Sequence, residues 1–180
     1  IQRVVGVEPV SLASVAPDAP ISLCFVVRKN RRYVRNGAEF LREVREAYPQ
    51  LRIDAVTWEE RTWEEQVRIT ARTDIFVAMY GTSSMPLLLL PDHATAVLLG
   101  SRFQYGNEYV PTYMPSGARI LLYQPPNLAD SHRADDHNVT KGYNDDISLR
   151  LTDFRPFLEQ SINRVKHARR CPDCFVYRHY

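Results

Sequence analysis

Apolar residues follow two periods along this chain, and segments of the two kinds alternate. Apolar runs of strand length occupy five segments, at residues 21–28, 51–56, 74–80, 94–100 and 118–124. Such short runs are typical of strands that are covered on one or both faces. The pattern therefore predicts a sheet of five strands.

Helical periodicity appears between the strands. After the first strand, apolar residues recur at helical spacing from Asn36, which can cap the helix, and Tyr-Pro-Gln at residues 48–50 ends it. After the second strand, Thr62 and Glu65 have the spacing of a capping box, in which each side chain bonds the other residue's backbone N–H. Each of these two strands is therefore followed by a helix.

Two more helices complete the pattern. A short helix is predicted at residues 82–90, and the last helix begins near Thr152. Strands that alternate with helices require right-handed crossovers. The predicted fold class is α/β, with a Rossmann-like, mostly parallel sheet and helices on both faces. The apolar stripe of the last helix comprises Phe154, Phe157, Leu158, Ile162 and Val165.

Composition divides the chain into three segments. We predict an extended lead-in at residues 1–20, a single domain at residues 21–168 and a cysteine-containing tail at residues 169–180. Within the domain, residues 125–150 are rich in Asp, Asn and His and predict a long surface loop. The chain opens on Ile1 rather than Met, so we expect that an N-terminal part is missing and that any targeting signal is invisible here.

Charge and hydropathy narrow the function classes. The formal net charge of +2 is too small to indicate nucleic acid by itself. No apolar run approaches the roughly 18 to 20 residues that span a membrane. The chain contains no Gly-x-Ser-x-Gly, His-Glu-x-x-His or Walker motif, so nothing indicates a hydrolase, zinc protease or P-loop nucleotidase of those classes.

Cysteine and histidine positions offer weak indications of a metal. Cys24 lies in an apolar strand and is interpreted as a buried small hydrophobe. Cys171 and Cys174 form one Cys-x-x-Cys pair, for which a local disulfide or two free thiols are favoured over zinc. Residues 131–138 gather two histidines and two aspartates, but such residues in a polar loop are more often exposed, and no metal site is assigned. Asn138 begins an N-glycosylation sequon, which has meaning only in the secretory pathway.

In an open parallel sheet, ligands bind outside the carboxyl ends of the strands, where the strand order reverses. This rule selects the loops at residues 28–36, 58–62 and 80–84. The first loop reads RKNRRYVRN, with four arginines and one lysine. Arginine forks match phosphate oxygens in geometry and charge, so this loop can grip a nucleotide diphosphate. A solvated basic face, or a site for an acidic partner or RNA, is the alternative interpretation.

The third loop joins a strand to a short helix. Gly81 permits close approach to the backbone, while Thr82, Ser83 and Ser84 offer hydroxyl and N–H groups at a helix N-terminus. That combination favours an anion. An ordinary turn capped by Ser and Thr has the same composition, and both interpretations stay open.

The segment WEEQVRITARTDIFVAMYGTSSMPLLLLPDHATAVLL, residues 63–99, resembles the central motif block of glycosyltransferase family 61. The resemblance is closest to the EGF-domain-specific O-linked N-acetylglucosaminyltransferases. Gln66, Thr73, Asp74 and Gly81 match the family pattern in register. Upstream, the family's basic segment corresponds to Arg28, to Arg31 or Arg32, and to Asn36.

The resemblance implies a GT-B architecture of two Rossmann-like halves, of which this chain matches the C-terminal, nucleotide-sugar half. It also implies a UDP-sugar donor, with no other cofactor and no essential metal. Under this interpretation a set of residues would contact the donor, while no catalytic residue is assigned. The set comprises Arg28, Arg31, Arg32, Asn36, Glu65, Gln66, Tyr80, Gly81, Thr82, Ser83 and Ser84.

The chain departs from the family where the motif reads His-Gly-Ala-Gly-Leu-Thr-His. Here Tyr80 and Pro86 replace the two histidines, and Ser83 replaces the second glycine. A phenol titrates near pH 10, so Tyr80 cannot act as an imidazole near neutral pH.

Two function hypotheses follow from the resemblance. In the first, the chain transfers an N-acetylglucosamine- or xylose-type sugar from a UDP-sugar to a protein or glycan acceptor, in the lumen of the endoplasmic reticulum or Golgi. In the second, it is an inactive glycosyltransferase-like subunit with a structural role in a larger, organellar assembly, with protein subunits as its partners.

Overall fold

The computed structural model describes residues 15–29, 32–100, 117–132 and 146–171. Its main sheet has five strands: β1 (Ile21–Val27), β2 (Leu51–Thr57), β3 (Ile75–Met79), β4 (Thr95–Leu99) and β5 (Arg119–Tyr123). They lie in the order β2-β1-β3-β4-β5, and every neighbouring pair is parallel. The predicted α/β class and Rossmann-like sheet are confirmed, and each strand begins and ends within one residue of its predicted bounds.

Helices cover both faces of this sheet, as predicted. Helices α1 (Gly37–Ala47) and α3 (Leu151–Arg170) pack against one face, and α2 (Trp63–Thr70) and a 3₁₀ helix (Thr82–Leu89) pack against the other. Successive side chains of a strand point to opposite faces, so Phe25 joins the first core and Cys24 the second. Cys24 is a buried free thiol, as predicted, and its burial raises its pKa to about 12.

The predicted starts of α1, α2 and α3 agree with the structure, but the predicted side-chain cap of α1 is absent. Thr62 and Glu65 form the capping box, with Thr62 N donating to Glu65 Oε2 over 2.8 Å. Asn36 precedes α1 but makes no side-chain cap. Its Nδ2 instead donates to the Leu149 carbonyl over 2.7 Å, and its Oδ1 accepts from the Leu149 N–H over 2.9 Å. Two bonds to a distant backbone segment replace one local bond.

The short helix that follows β3 is a 3₁₀ helix, Thr82–Leu89, and not an α-helix. Pro86 lies inside it. Proline has no backbone N–H, and its ring clashes with the carbonyl four residues back, so α-helical geometry is disfavoured there.

Part of the segment 125–150, predicted as a long surface loop, has regular structure among its described residues. A short 3₁₀ helix (Leu128–Asp130) and two antiparallel strands, β6 (Ser131–His132) and β7 (Asp146–Ile147), lie within it. Asp130 and Asp146 are buried, because Arg150 Nε pairs with Asp130 over 2.8 Å and the Tyr33 N–H donates to Asp146 over 3.2 Å. Polar composition indicated exposure, whereas specific partners allow burial. Residues 133–145 lie outside the described ranges.

The C-terminal end of α3 extends beyond the predicted domain boundary. The helix continues through Arg170, two residues into the segment predicted as a tail, and Arg169 is buried. Cys171 follows it and is disulfide-bonded, whereas Cys174 lies outside the described residues. Among the helices of the described residues, none has the length and apolar character needed to cross a membrane.

Candidate functional site

The strand order reverses beside β1. The chain passes from β1 to β2 on one side and returns to β3 on the other, so the loops after β1 and β3 diverge at the carboxyl edge of the sheet. This is the crevice where doubly wound sheets bind ligands. Arg32, from the β1 loop, donates from Nη1 to the Tyr80 carbonyl, after β3, over 3.2 Å. Two of the three loops selected from the sequence are therefore in direct contact.

Gly81 makes this contact possible. Its backbone has φ 132° and ψ −153°, a region essentially restricted to glycine. A Cβ added at this position would overlap Nη1 of Arg32. Arg32 itself has a φ of 52°. The sequence predicts that a ligand approaches the Gly81 backbone closely. In the structure, the guanidinium group of Arg32 fills this space.

Carboxylates neighbour several cations of the basic loop. Arg28 Nε lies 3.5 Å from Glu59, and Lys29 pairs with Glu60. Both carboxylates lie in the 3₁₀ turn Trp58–Glu60, directly after β2. Arg35 Nε lies 3.5 Å from Asp146, and Arg31 lies outside the described residues. Three of the basic side chains thus have acidic partners.

Three further predicted site residues stabilise local structure. Glu65 closes the capping box, and the hydrogen bond from the Thr62 backbone lowers its pKa. Gln66 Nε2 donates over 3.2 Å to the carbonyls of Trp58 and of Arg61, which holds the turn between β2 and α2. Asn36 is bonded to Leu149, as described above. Any contact with a ligand would come in addition to these bonds.

After β3, the structure describes the side chain of Tyr80 but only the backbone of Thr82, Ser83 and Ser84. Tyr80 is half-buried and packs against the core on the α2 face, while its N–H donates to the Leu99 carbonyl over 2.8 Å. The backbone of Thr82, Ser83 and Ser84 forms the first turn of the 3₁₀ helix. Their side chains lie outside the described part, so the role predicted for their hydroxyls stays a prediction.

Sequence reasoning missed a buried polar network at the opposite, amino edge of the sheet. Asp74 Oδ2 accepts from the Ser22 N–H and hydroxyl, both over 2.8 Å, and from Arg169 Nη2 over 3.0 Å. Its Oδ1 lies 3.0 Å from His93 Nε2. Asp74 precedes β3, and Arg169 lies 95 residues away in α3. No local pattern indicates a pair at that separation.

The network fixes the charge state of Asp74. Burial by itself raises the pKa of a carboxyl group. The hydrogen bonds from His93 and Ser22 and the charge of Arg169 outweigh it, so the pKa of Asp74 lies below its ordinary value. Asp74 therefore anchors β1, β4 and the end of α3 as a carboxylate.

An open cleft of about 370 Å³ lies on the sheet face covered by α1 and α3. Its lining includes Glu39, Glu43 and Arg150, and the two carboxylates disfavour a phosphate there. Among the described residues, no group of three or more His, Cys, Asp or Glu side chains could hold a metal. Most of residues 131–138 lies outside them.

One protein-family model matches the part of the chain that contains the β1 and β3 loops. The family model for glycosyltransferase 61 matches residues 8–98, about half of the chain, from before β1 into β4. The match includes Arg32, Tyr80 and Gly81. No curated protein matches the chain. The chain belongs to glycosyltransferase family 61.

Proposed function

We propose that this chain binds the diphosphate of a nucleotide sugar where the β1 and β3 loops meet, and that it transfers the sugar to a protein or glycan acceptor. Family membership supports a glycosyltransferase-like function in general. The observation that carries the specific site is the Arg32 guanidinium, held over Gly81 by the Tyr80 carbonyl at the switch point.

The chemistry of sugar transfer explains why this position matters. Sugar transfer breaks the bond between the anomeric carbon of the sugar and an oxygen of the diphosphate. The departing nucleoside diphosphate takes the electron pair and gains negative charge. Fixed positive groups that face the developing charge stabilise the transition state. An arginine fork matches the phosphate oxygens, and the bond to Tyr80 fixes its position before the donor arrives.

The donor in this proposal is a UDP-sugar of the N-acetylglucosamine or xylose type, bound without a metal ion. The resemblance of residues 63–99 to the EGF-domain-specific enzymes supports this choice. Arg28, Arg31 and the turn from Thr82 to Ser84 would supply further donor contacts. Arg28 would then exchange Glu59 for a phosphate oxygen.

The secretory lumen is the proposed compartment. Cys171 is disulfide-bonded, and disulfides persist mainly in oxidising compartments. Mass spectrometry after alkylation without a reductant tests this point, because in the lumen Cys171 would escape modification.

The inactive, structural subunit is the second candidate. Arg28, Lys29 and Arg35 have carboxylate partners, and Tyr80 packs against the core at the position where the family pattern has a histidine. These contacts suit a site that no longer takes a ligand. The two candidates differ in whether the chain binds UDP.

Calorimetric titration with UDP and UDP-N-acetylglucosamine separates them. We expect saturable binding that survives a metal chelator and weakens at least tenfold in Arg32→Ala. The control is Arg42→Ala, because Arg42 is 67% exposed and pairs with Glu39 on the surface of α1. Absence of saturable binding to the native chain would reject the enzyme and favour the structural subunit.

A further inference from the structure

Trp63 is an exposed aromatic side chain at the carboxyl edge of the sheet. It keeps 52% of its surface exposed, more than any other large hydrophobic side chain among the described residues. The other tryptophan, Trp58, is 6% exposed and packs against Phe76 with a ring separation of 5.9 Å. Core packing therefore explains Trp58 but not Trp63.

The backbone of Trp63 is rigidly held. It is the first residue of α2, directly after the N-cap Thr62, and the capping box fixes that turn. Gln66 bonds the same helix to the carbonyls of Trp58 and Arg61. An aromatic ring on a fixed backbone presents its face at little cost in conformational entropy.

The turn that precedes Trp63 adjoins the loop that carries Arg32. Strand β2 pairs with β1 up to the Val27 and Thr57 partners, and Glu59 and Glu60 bind Arg28 and Lys29 across the two loops. Strand β1 also pairs with β3. Neighbouring strands lie about 4.8 Å apart, so the ends of β2 and β3 are about 10 Å apart. The segments that lead to Trp63 and to Gly81 therefore start within the span of a nucleoside diphosphate.

We propose that Trp63 is the stacking surface for the nucleobase of the nucleotide whose diphosphate binds at Arg32 and Gly81. The inference rests on the proposed function and assigns the nucleoside end of the same site. Every base has a π-face, so stacking on an aromatic ring tolerates different bases. Trp63 therefore adds affinity for nucleotides without selecting uracil over adenine.

Tryptophan fluorescence tests the contact directly, because the chain has only two tryptophans and Trp58 is buried. UDP should quench the emission of the native chain saturably. In Trp63→Phe the quenching should disappear, while calorimetry should show nearly native affinity, since phenylalanine also stacks.

Removal of the ring in Trp63→Ala tests its contribution to nucleotide affinity. In Trp63→Ala, affinity for UDP and ADP should fall about tenfold or more, while affinity for inorganic pyrophosphate stays unchanged. Leu122→Ala is the control, because Leu122 is 40% exposed on β5, at the far end of the sheet from β2. It should leave both affinities unchanged.

The outcomes distinguish this inference from the proposed function. Native UDP binding that Trp63→Ala leaves intact would overturn the stacking role and retain the diphosphate site. An equal loss of pyrophosphate affinity in Trp63→Ala would indicate a structural role and also overturn it. If neither UDP nor pyrophosphate bound the native chain, the proposed function itself would fail, and this inference with it.

Discussion

Gly81 and Asp74 lie at opposite edges of the sheet and have different structural roles. Gly81, at the carboxyl edge, adopts a backbone conformation that a side chain would strain, and its missing Cβ leaves the place taken by Arg32. Asp74, at the amino edge, collects donors from Ser22, His93 and Arg169. Changes at Gly81 should alter ligand binding as well as stability, and changes at Asp74 should alter stability.

Substitution of Gly81 tests the first of these roles. Gly81→Ala should lower the free energy of unfolding by about 1–3 kcal/mol, because alanine is strained at this φ and its Cβ displaces Arg32. UDP affinity should fall as well. Gly37→Ala is the matched control, since a Cβ there meets Val34 at an ordinary 3.7 Å, and alanine in a helix adds about 0.4–1 kcal/mol. Urea denaturation measures the free energy of unfolding of both variants. Equal changes in Gly81→Ala and Gly37→Ala would contradict the role of Gly81.

Substitution of Asp74 tests the second role through its pH dependence. The pKa of Asp74 is depressed in the fold, so its contribution to stability is fully present above the unfolded value, about 3.9, and is lost as pH falls through the folded pKa. Asp74→Asn should cost about 3–5 kcal/mol near neutral pH, because it leaves Arg169 buried without its carboxylate. That difference from the native chain should shrink below about pH 4.

Denaturation curves over a range of pH provide this measurement. Asp54→Asn is the control, because the side chain of Asp54 is 63% exposed and its pair with Arg52, at 3.9 Å, lies in solvent. A difference between Asp74→Asn and the native chain that stayed constant into strong acid would contradict the role of the carboxylate.

At the scale of elements, Asn36 links α1 to the segment before α3. Its amide group bonds both the N–H and the carbonyl of Leu149, as a neighbouring strand would. The adjacent backbone of Arg35 donates to the Ile147 carbonyl over 2.9 Å. The end of the basic loop is thereby fixed by residues more than a hundred positions away.

Asn36→Ala should destabilise the chain by about 1–3 kcal/mol, because it leaves both backbone groups of Leu149 without their partner. Asn36→Asp should recover part of the loss, since a carboxylate still accepts from the Leu149 N–H but faces its carbonyl. Asn127→Ala serves as the control, because the side chain of Asn127 accepts a local, exposed hydrogen bond from the Ala129 N–H. Thermal denaturation ranks the three variants, and an Asn36→Ala as stable as the control would refute this link.

Sequence patterns predicted those elements that depend on nearby residues. Strands buried on both faces appear as apolar runs, and the capping box of Thr62 and Glu65 lies within four positions, so both were predictable. The bonds of Asn36 to Leu149 and of Arg169 to Asp74 join distant residues, and local periodicity carries no information about them. Gly81 and Arg32 were both candidate site residues from the sequence, and their contact with a ligand stays a prediction, but their contact with each other was identifiable only from the fold.

At the scale of the whole molecule, the strand order brings the candidate site together. The order β2-β1-β3-β4-β5 places the loops after β2, β1 and β3 side by side. Arg28, Lys29 and Arg32 connect them through Glu59, Glu60 and Tyr80. The sheet thus has a buried polar network at its amino edge and charged side chains at its carboxyl edge, where we propose that an anionic donor binds.

Hydrogen–deuterium exchange with and without saturating UDP tests the location of the proposed donor site most directly. We expect slower exchange of backbone amides at residues 32–36 and 80–90, and unchanged exchange around Ser22, Asp74 and His93 at the amino edge. Protection at the amino edge, or no protection at the carboxyl edge despite UDP binding, would contradict this expectation.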